Sequence, residues 1–266
     1  MNKADAINNL LCIDVGNTQM VFGLYQYGEL ISHWRLSTSA HITSDELSWQ
    51  LYGMFSQFEH EAKSIDGTMV ASVVPHLDRV LREACMQVCA CQVSFIGDRD
   101  VKTGMAVDYK NPREVGADRI ANAIAAREDY GYPAIVLDCG TATTFDLIND
   151  RGHYAGGLII PGMDIALAAL CKRAAKLPEV SVVATTTLIG RDTISSMQAG
   201  SYWASVDGLS GIIQRLHALD IYRDAPVIAT GGLASRIYDD MPSISSLEPH
   251  LTLNGLYILC KRHFSA

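Results

Sequence analysis

The feature that most constrains this chain is an internal repeat. Residues 134–138, AIVLD, repeat the strand pattern of LLCIDVG at 10–16, and a shift of 124 residues superposes Asp14 on Asp138, Gly16 on Gly140 and Gly28 on Gly152. In each copy an apolar strand ends in Asp-x-Gly, turns into a second strand and continues through a hairpin. VASVVP at 70–75 has its counterpart in VIATGGLAS at 227–235, each after a helical section. A repeat this long indicates two copies of one β-β-β-α-β-α unit and hence an α/β fold of two duplicated domains. Coincidence between common strand-Asp-x-Gly turns is the competing reading. The boundaries expected are 1–128 and 129–266, with the junction near Glu128 to Gly131, after the helical IANAIAAREDYG.

Within the first copy, LLCIDVG, MVFGLYQYGEL and the alternating ISHWRLS read as a three-stranded antiparallel meander, with a short turn at Tyr27, Gly28 and Glu29. A helix is expected from about Ser44, which can cap it, to Phe58. TMVASVV then reads as a buried strand, with a helix after Pro75.

Composition narrows the function classes. With 266 residues, 48% hydrophobic and 19% charged, the chain can bury two sizeable cores. A net charge of −8 and the lack of a Lys/Arg run argue against a nucleic-acid or anionic-membrane partner and favour a small-molecule substrate. No apolar run approaches a membrane span and no secretory pattern opens the chain, so a cytoplasmic location is expected. The seven cysteines suggest no disulfides; Cys85, Cys89 and Cys91 lack zinc-like spacing and read as helix-packing thiols.

Three loops suit phosphate chemistry. Asp14-Val15-Gly16-Asn17-Thr18 forms a tight turn between strands, where Gly16 permits close backbone approach. An acidic group beside triphosphate needs a cation between them, which makes Asp14 a candidate for hydrated Mg²⁺; a plain hairpin with a capping Asp also fits. Asp138-Cys139-Gly140-Thr141-Ala142-Thr143-Thr144 repeats the pattern and adds hydroxyls, of which Thr141 is the better phosphate donor; threonines are also ordinary strand residues. Thr230-Gly231-Gly232-Leu233-Ala234 reads as a strand turning directly into a helix, with room for adenine or ribose against bare backbone. Neither a Walker A nor a dinucleotide fingerprint competes. Together the loops describe the nucleotide cleft, between two ribonuclease H-like domains, of the actin-like ATPase fold.

The polar segment from Asp108 to Ile120 leads into an Ala-rich helix that begins at Asp118 and Arg119. Phosphoryl transfer to an alcohol needs a carboxylate to accept the hydroxyl proton and cations to balance charge, and these two residues suit those tasks. A helix-start carboxylate with a surface ion pair is the structural alternative.

At this point the sequence closely resembles the type III pantothenate kinases. IDVGNTQMVFG, VASVVP, YKNPREVGADRIANA, LDCGTATTFD, GGLIIPG, GRDTISSMQAG, ATGGLA and LTLNGL stand in the family's order, over essentially residues 10 to 260. The resemblance implies ATP-dependent phosphorylation of pantothenate to 4'-phosphopantothenate, the first step toward coenzyme A. It makes Asp118 the general base and places Asp14, Val15, Gly16, Asn17, Thr18, Gln19, Met20, Val21 and Thr141 at ATP. It puts Asp138 at a monovalent cation, K⁺ or NH₄⁺, although Asp138 also fits a magnesium role shared with Asp14. Tyr109, Gly116, Ala117, Asp118, Arg119 and Thr193 would contact pantothenate, with Tyr109 and Thr193 each also readable as ordinary packing residues.

The resemblance further implies a homodimer whose interface lies near Thr193. The apolar surplus on the helical stretch 193–219 (Ile194, Met197, Tyr202, Trp203, Val206, Leu209, Ile212, Ile213, Leu216) fits burial against a second subunit, or equally a central helix of its own domain. Arg191-Asp192 and Asn254 depart from the family pattern, with consequences for affinity or helix capping left open. Another small-molecule kinase of the same superfamily, or a non-catalytic nucleotide-binding regulator, are the rival functions; the segment from Tyr109 to Arg119 argues against the first, and Asp118 beside Arg119, both phosphate loops and the lack of a basic DNA-binding segment argue against the second.

Overall fold

A computed structural model describes residues 8–265. Its contacts divide the chain into two compact units. Unit 1 holds the chain up to Met105, then Asn111–Ala125 and the C-terminal stretch from Leu251; unit 2 holds Ala106–Lys110 and Ala126–His250. The chain therefore crosses between units four times rather than dividing at one point.

In unit 1, β1 (Asn9–Val15), β2 (Gln19–Gln26) and β3 (Glu29–Ser37) form the expected antiparallel meander. Tyr27 and Gly28 both take positive φ, 51° and 98°, which gives the tight two-residue hairpin its twist. α1 (Ser44–Gln57), β4 (Gly67–Ser72), α2 (Asp78–Cys89) and β5 (Gln92–Phe95) follow, and the sheet order is β3-β2-β1-β4-β5 with β4 and β5 parallel to β1.

The α1 cap differs by one residue from expectation. Thr43, extended at φ −88°, accepts from Glu46 N at 3.2 Å, while the Glu46 carboxylate accepts from Thr43 N at 2.8 Å. This reciprocal pair satisfies two helix-end donors at once, which Ser44, already helical, cannot do.

β1 is buried on both faces, which is why its sequence is apolar throughout rather than alternating. Leu11, Ile13 and Val15 join the cluster with Leu47, Leu51 and Phe55 of α1 and Leu81 and Ala84 of α2. The α3 helix (Ala117–Tyr130), whose first nine residues belong to unit 1, packs there against α6 (Leu251–Phe264). A Cβ on Gly255 would come within 2.6 Å of Ala121 C, so glycine is what lets these two helices approach. Thr252 donates to Asn122 Oδ1 at 2.8 Å across the same contact. α6 also lies on β1 and β4.

Unit 2 repeats the design. β6 (Ala134–Cys139), β7 (Ala142–Ile148) and β8 (Tyr154–Pro161) form a meander; α4 (Met163–Arg173) and α5 (Thr193–His217) precede β9 (Val227–Thr230) and the short β10 (Ser246–Leu247). The order β8-β7-β6-β9-β10, with β9 parallel to β6, matches that of unit 1 strand for strand. The core joins Ile135, Leu137 and Cys139 of β6 to Leu167 of α4 and Met197, Tyr202, Val206, Leu209, Ile213 and Leu216 of α5. Thus most of the α5 residues that suggested a subunit interface are used in the unit's own core; Trp203 and Ile212 pack against that core, and Ile194 is exposed.

Candidate active site

The two Asp-x-Gly loops are built alike but differ in length. In unit 1, Gly16 N donates to Gln19 O at 3.0 Å, and four residues separate the paired Val15 and Met20. In unit 2, Gly140 N donates to Ala142 O at 3.0 Å, and three residues separate Cys139 from Thr143. Both glycine N–H groups are therefore engaged in closing their turns, leaving Asn17, Thr18 and Thr141 exposed at the tips. The end of β3 buttresses the first loop: Thr38 Oγ1 donates to Gly16 O at 2.7 Å and Thr38 N to Thr18 O at 2.9 Å. Val15 and Met20 are core residues, so only their backbone is available to a ligand; Asp14 and Val21 are paired across the sheet and half-buried, and Gln19 is exposed.

Asp118 belongs to the same corner of unit 1. Gly116 O accepts from Ile120 N at 3.1 Å to start α3, so Asp118 falls in the first turn, where its Oδ1 accepts from Arg119 N at 2.8 Å. The Gly116 Cα faces both that carboxylate and Val73, whose Cγ1 lies 3.6 Å from where a Cβ would stand. Val73 N in turn donates to Val15 O at 3.0 Å, linking this helix start to the carboxyl ends of β1 and β4. Burial pushes the Asp118 carboxyl above the usual carboxylate value; the Arg119 N–H and guanidinium pull the other way and lose. A more basic, half-buried carboxylate is what a general base requires. Ala117 and Arg119 flank it, each half-buried.

In unit 2, Asp138 stands one residue before the end of β6, paired with Thr144 and Thr230. Its carboxylate fills the space beside Gly231: a Cβ there would overlap Asp138 Oδ1 and approach Cys139 O to 2.6 Å, and φ at Gly231 is +88°. Leu233 N donates to Cys139 O at 3.0 Å, which holds the Gly-Gly turn on the strand end. Gly232 has no atom within 4 Å of its Cβ position, so its bare backbone is open to a ligand. No α-helix follows this turn; residues 234–236 and 238–240 are single 3-10 turns. The expected helix N-terminus at this loop is thus absent, and its anion-binding argument goes with it.

Gly162, which sequence reasoning passed over within GGLIIPG, completes the loop from Asp138 to Thr144: its N–H donates to Thr141 O at 3.2 Å, and a Cβ would strike the Gly140 and Thr141 carbonyls. The signal was its position at the end of a Pro-Gly strand exit.

Thr193 is the first residue of α5 and lines a groove of about 1060 Å³ whose walls include Met163, Leu167, Met197 and Leu209. Thr143 also lines it. The Asp192 departure proves to be a helix cap, since Ser195 N donates to its Oδ1 at 2.9 Å; that bond lowers the carboxyl's pKa. Asn254 uses its carbonyl oxygen to accept from Tyr25 OH at 2.6 Å. Tyr109, in unit 2, meets Tyr154 edge-on with ring centroids 6.3 Å apart.

The chemistry of the donor set bears on cations. Among the described residues no group of three or more His, Cys, Asp or Glu side chains is arranged to hold a metal ion. Each loop brings one carboxylate, which suits Mg²⁺ that keeps water and takes other oxygens from a substrate phosphate. No helix among the described residues is long and apolar enough to cross a membrane.

The type III pantothenate kinase family model matches residues 10–215. A type III pantothenate kinase of Moorella thermoacetica is 46% identical over 254 residues, 96% of this chain and 99% of that protein. Another, from Halalkalibacterium halodurans, is 43% identical with the same coverage. Among solved structures, component A of the Acidaminococcus fermentans (R)-2-hydroxyglutaryl-CoA dehydratase shares the fold with a TM-score of 0.58 at 13% identity, over 97% of this chain and all of that one. A Campylobacter jejuni protein described as a Baf family transcriptional activator has a TM-score of 0.58 at 18% identity, over 95% of this chain and 98% of that one. At such identities these two likenesses speak to fold alone.

Proposed function

The chain belongs to the type III pantothenate kinases, and from that premise we propose how its own residues phosphorylate pantothenate with ATP on the way to coenzyme A. The observation that carries the reading is the burial-raised Asp118 carboxylate beside Arg119, at the strand ends that also carry the Asp14 loop.

Asp118 accepts the proton of the primary hydroxyl of pantothenate as that oxygen bonds to the γ-phosphorus; the bond from phosphorus to the bridging oxygen breaks, and ADP and 4'-phosphopantothenate leave. Arg119 offers fixed N–H donors to the substrate carboxylate. Tyr109, Gly116, Ala117 and Thr193 complete pantothenate recognition. The residues from Asp14 to Val21, with Thr141, hold the nucleotide, and Gly232 accommodates its nucleoside portion. Asp14 holds hydrated Mg²⁺, which supplies charge neutralisation on the phosphates. Asp138 takes K⁺ or NH₄⁺, supported by the nearness of its carboxylate and the Cys139 carbonyl to one another around Gly231.

The active form is a homodimer in the cytoplasm. Support for the dimer comes from α5, where Ser196, Gly200, Ala204 and Gly208 recur every four residues and are exposed, a small-residue face on which a second copy's helix can seat closely. Seven free thiols suit a reducing compartment.

The test is an ADP-release assay with purified protein across pantothenate, hexoses and acetate. Turnover is expected only with pantothenate, to require Mg²⁺ and to rise with K⁺ or NH₄⁺. ADP formation at one rate with and without pantothenate would sink the reading.

A further inference from the structure

We propose that Tyr154 is a positioning residue for substrate recognition, fixing the Tyr109 ring in the orientation that meets pantothenate; this rests on the reading of Tyr109 as a substrate contact. Tyr109 sits in a five-residue segment, 106–110, that belongs to unit 2 while the chain on either side belongs to unit 1. What ties it there is Tyr154. Tyr154 N donates to Ala106 O and Asp108 N donates to Tyr154 O, both at 2.8 Å, so that one residue of β8 brackets Val107 in an isolated parallel bridge.

The Tyr154 side chain is anchored as well as its backbone. It is fully buried, and its hydroxyl donates to Oδ1 of the equally buried Asp146 at 2.8 Å, while Thr144 Oγ1 donates to the other Asp146 oxygen at 3.3 Å. A hydrogen bond between two fully buried groups is directional and costly to leave unmade, so the ring has one place to be. Against that ring Tyr109 packs edge-on at 64°, and Tyr109 also lies over Gly156, at φ +117°, whose Cβ would stand 3.6 Å from Tyr109 Cε2. Asp108 secures the same segment from outside by accepting from Asn149 at 3.1 Å and pairing with Arg151 and His153 at 3.2 Å. A recognition ring ordered before substrate arrives spares the entropy of ordering it on binding, which appears as affinity.

The experiment is steady-state kinetics on Tyr154→Leu, Tyr109→Ala and the double variant, with thermal melts. Tyr154→Leu is expected to raise KM for pantothenate about ten-fold, with kcat and KM for ATP within about two-fold. The double variant should be no worse than Tyr109→Ala, because the effect runs through Tyr109. Tyr154→Phe, which keeps the ring but loses the Asp146 bond, should fall between wild type and Tyr154→Leu and covers the case in which the leucine variant does not fold. Additive effects, or losses spread evenly over kcat and both KM values, would overturn the proposal. So would an unchanged KM in the Tyr154 variants while Tyr109→Ala raises it. An unchanged KM in Tyr109→Ala would instead remove Tyr109 from the substrate site, and the proposal with it.

Discussion

Gly116 and Asp118 share one space: a methyl group on the Gly116 Cα would overlap Asp118 Oδ1, so the carboxylate occupies room that only glycine leaves. Gly116→Ala should therefore displace Asp118 without touching the nucleotide loops. The expected result is a fall in kcat of about ten- to a hundred-fold with KM for ATP unchanged, read by steady-state kinetics.

Asp118→Asn removes the proton acceptor while keeping shape. Turnover should drop by about a hundred-fold or more, with ATP affinity retained by calorimetric titration. In the wild type, activity should fall as pH falls through the raised Asp118 pKa, so the acid limb lies above the ordinary value of 3.8. The stability consequence has the opposite sense. A raised folded-state pKa gives a contribution that is present below 3.8 and lost as pH rises through the folded value. The Asn variant should accordingly melt higher than wild type at neutral pH, with the gap closing in acid.

Gly231→Ala meets both a left-handed backbone and the Asp138 carboxylate. It should cost roughly 1–3 kcal/mol in stability and raise KM for ATP, whereas Gly232→Ala, with open space at its Cβ, should leave the melting temperature near wild type.

Thr43→Ala breaks the reciprocal cap of α1, far in sequence from every loop assigned to substrate. A loss of about 1 kcal/mol in chemical denaturation with unaltered kinetics is expected. Ser44→Ala should do much less.

Gly208→Arg places a long side chain on the exposed small-residue face of α5, at a position with no atom within 4 Å of its Cβ. The protomer should stay folded by circular dichroism while sedimentation shows a monomer. A dimer of unaltered affinity would remove that face from the interface.

Some of this molecule was legible in the chain and some was not. The repeat, the two Asp-x-Gly turns and the first meander could be read directly, because strand alternation, turn glycines and apolar runs are short-range signals. Equal strand order in the two sheets followed from the 124-residue offset. Asp118 was legible as a carboxylate near a helix start, but its basicity was not: that comes from burial in the folded chain, where Val73, some 45 positions away, lies beside the same Gly116 position as the carboxylate.

The tertiary structure alone decided what each ambiguous segment packs on. Nothing in LTLNGLYILCKRHF tells which sheet it covers; Gly255 meeting Ala121 and Thr252 meeting Asn122 place it on unit 1. The apolar surplus of α5 fitted a partner or a core, and Val206, Leu209 and Ile213 chose the core. The Gly-Gly turn at 231–232 looked like a helix entry and is a strand exit stapled by Leu233 to Cys139. The sequence offered no account of Asp146, a carboxyl inside the strand ATTFDLI; Tyr154 folding over it supplies one. Local sequence sets the conformations open to a segment, whereas contacts between residues distant in the chain select among them, and those contacts exist only once the chain has folded.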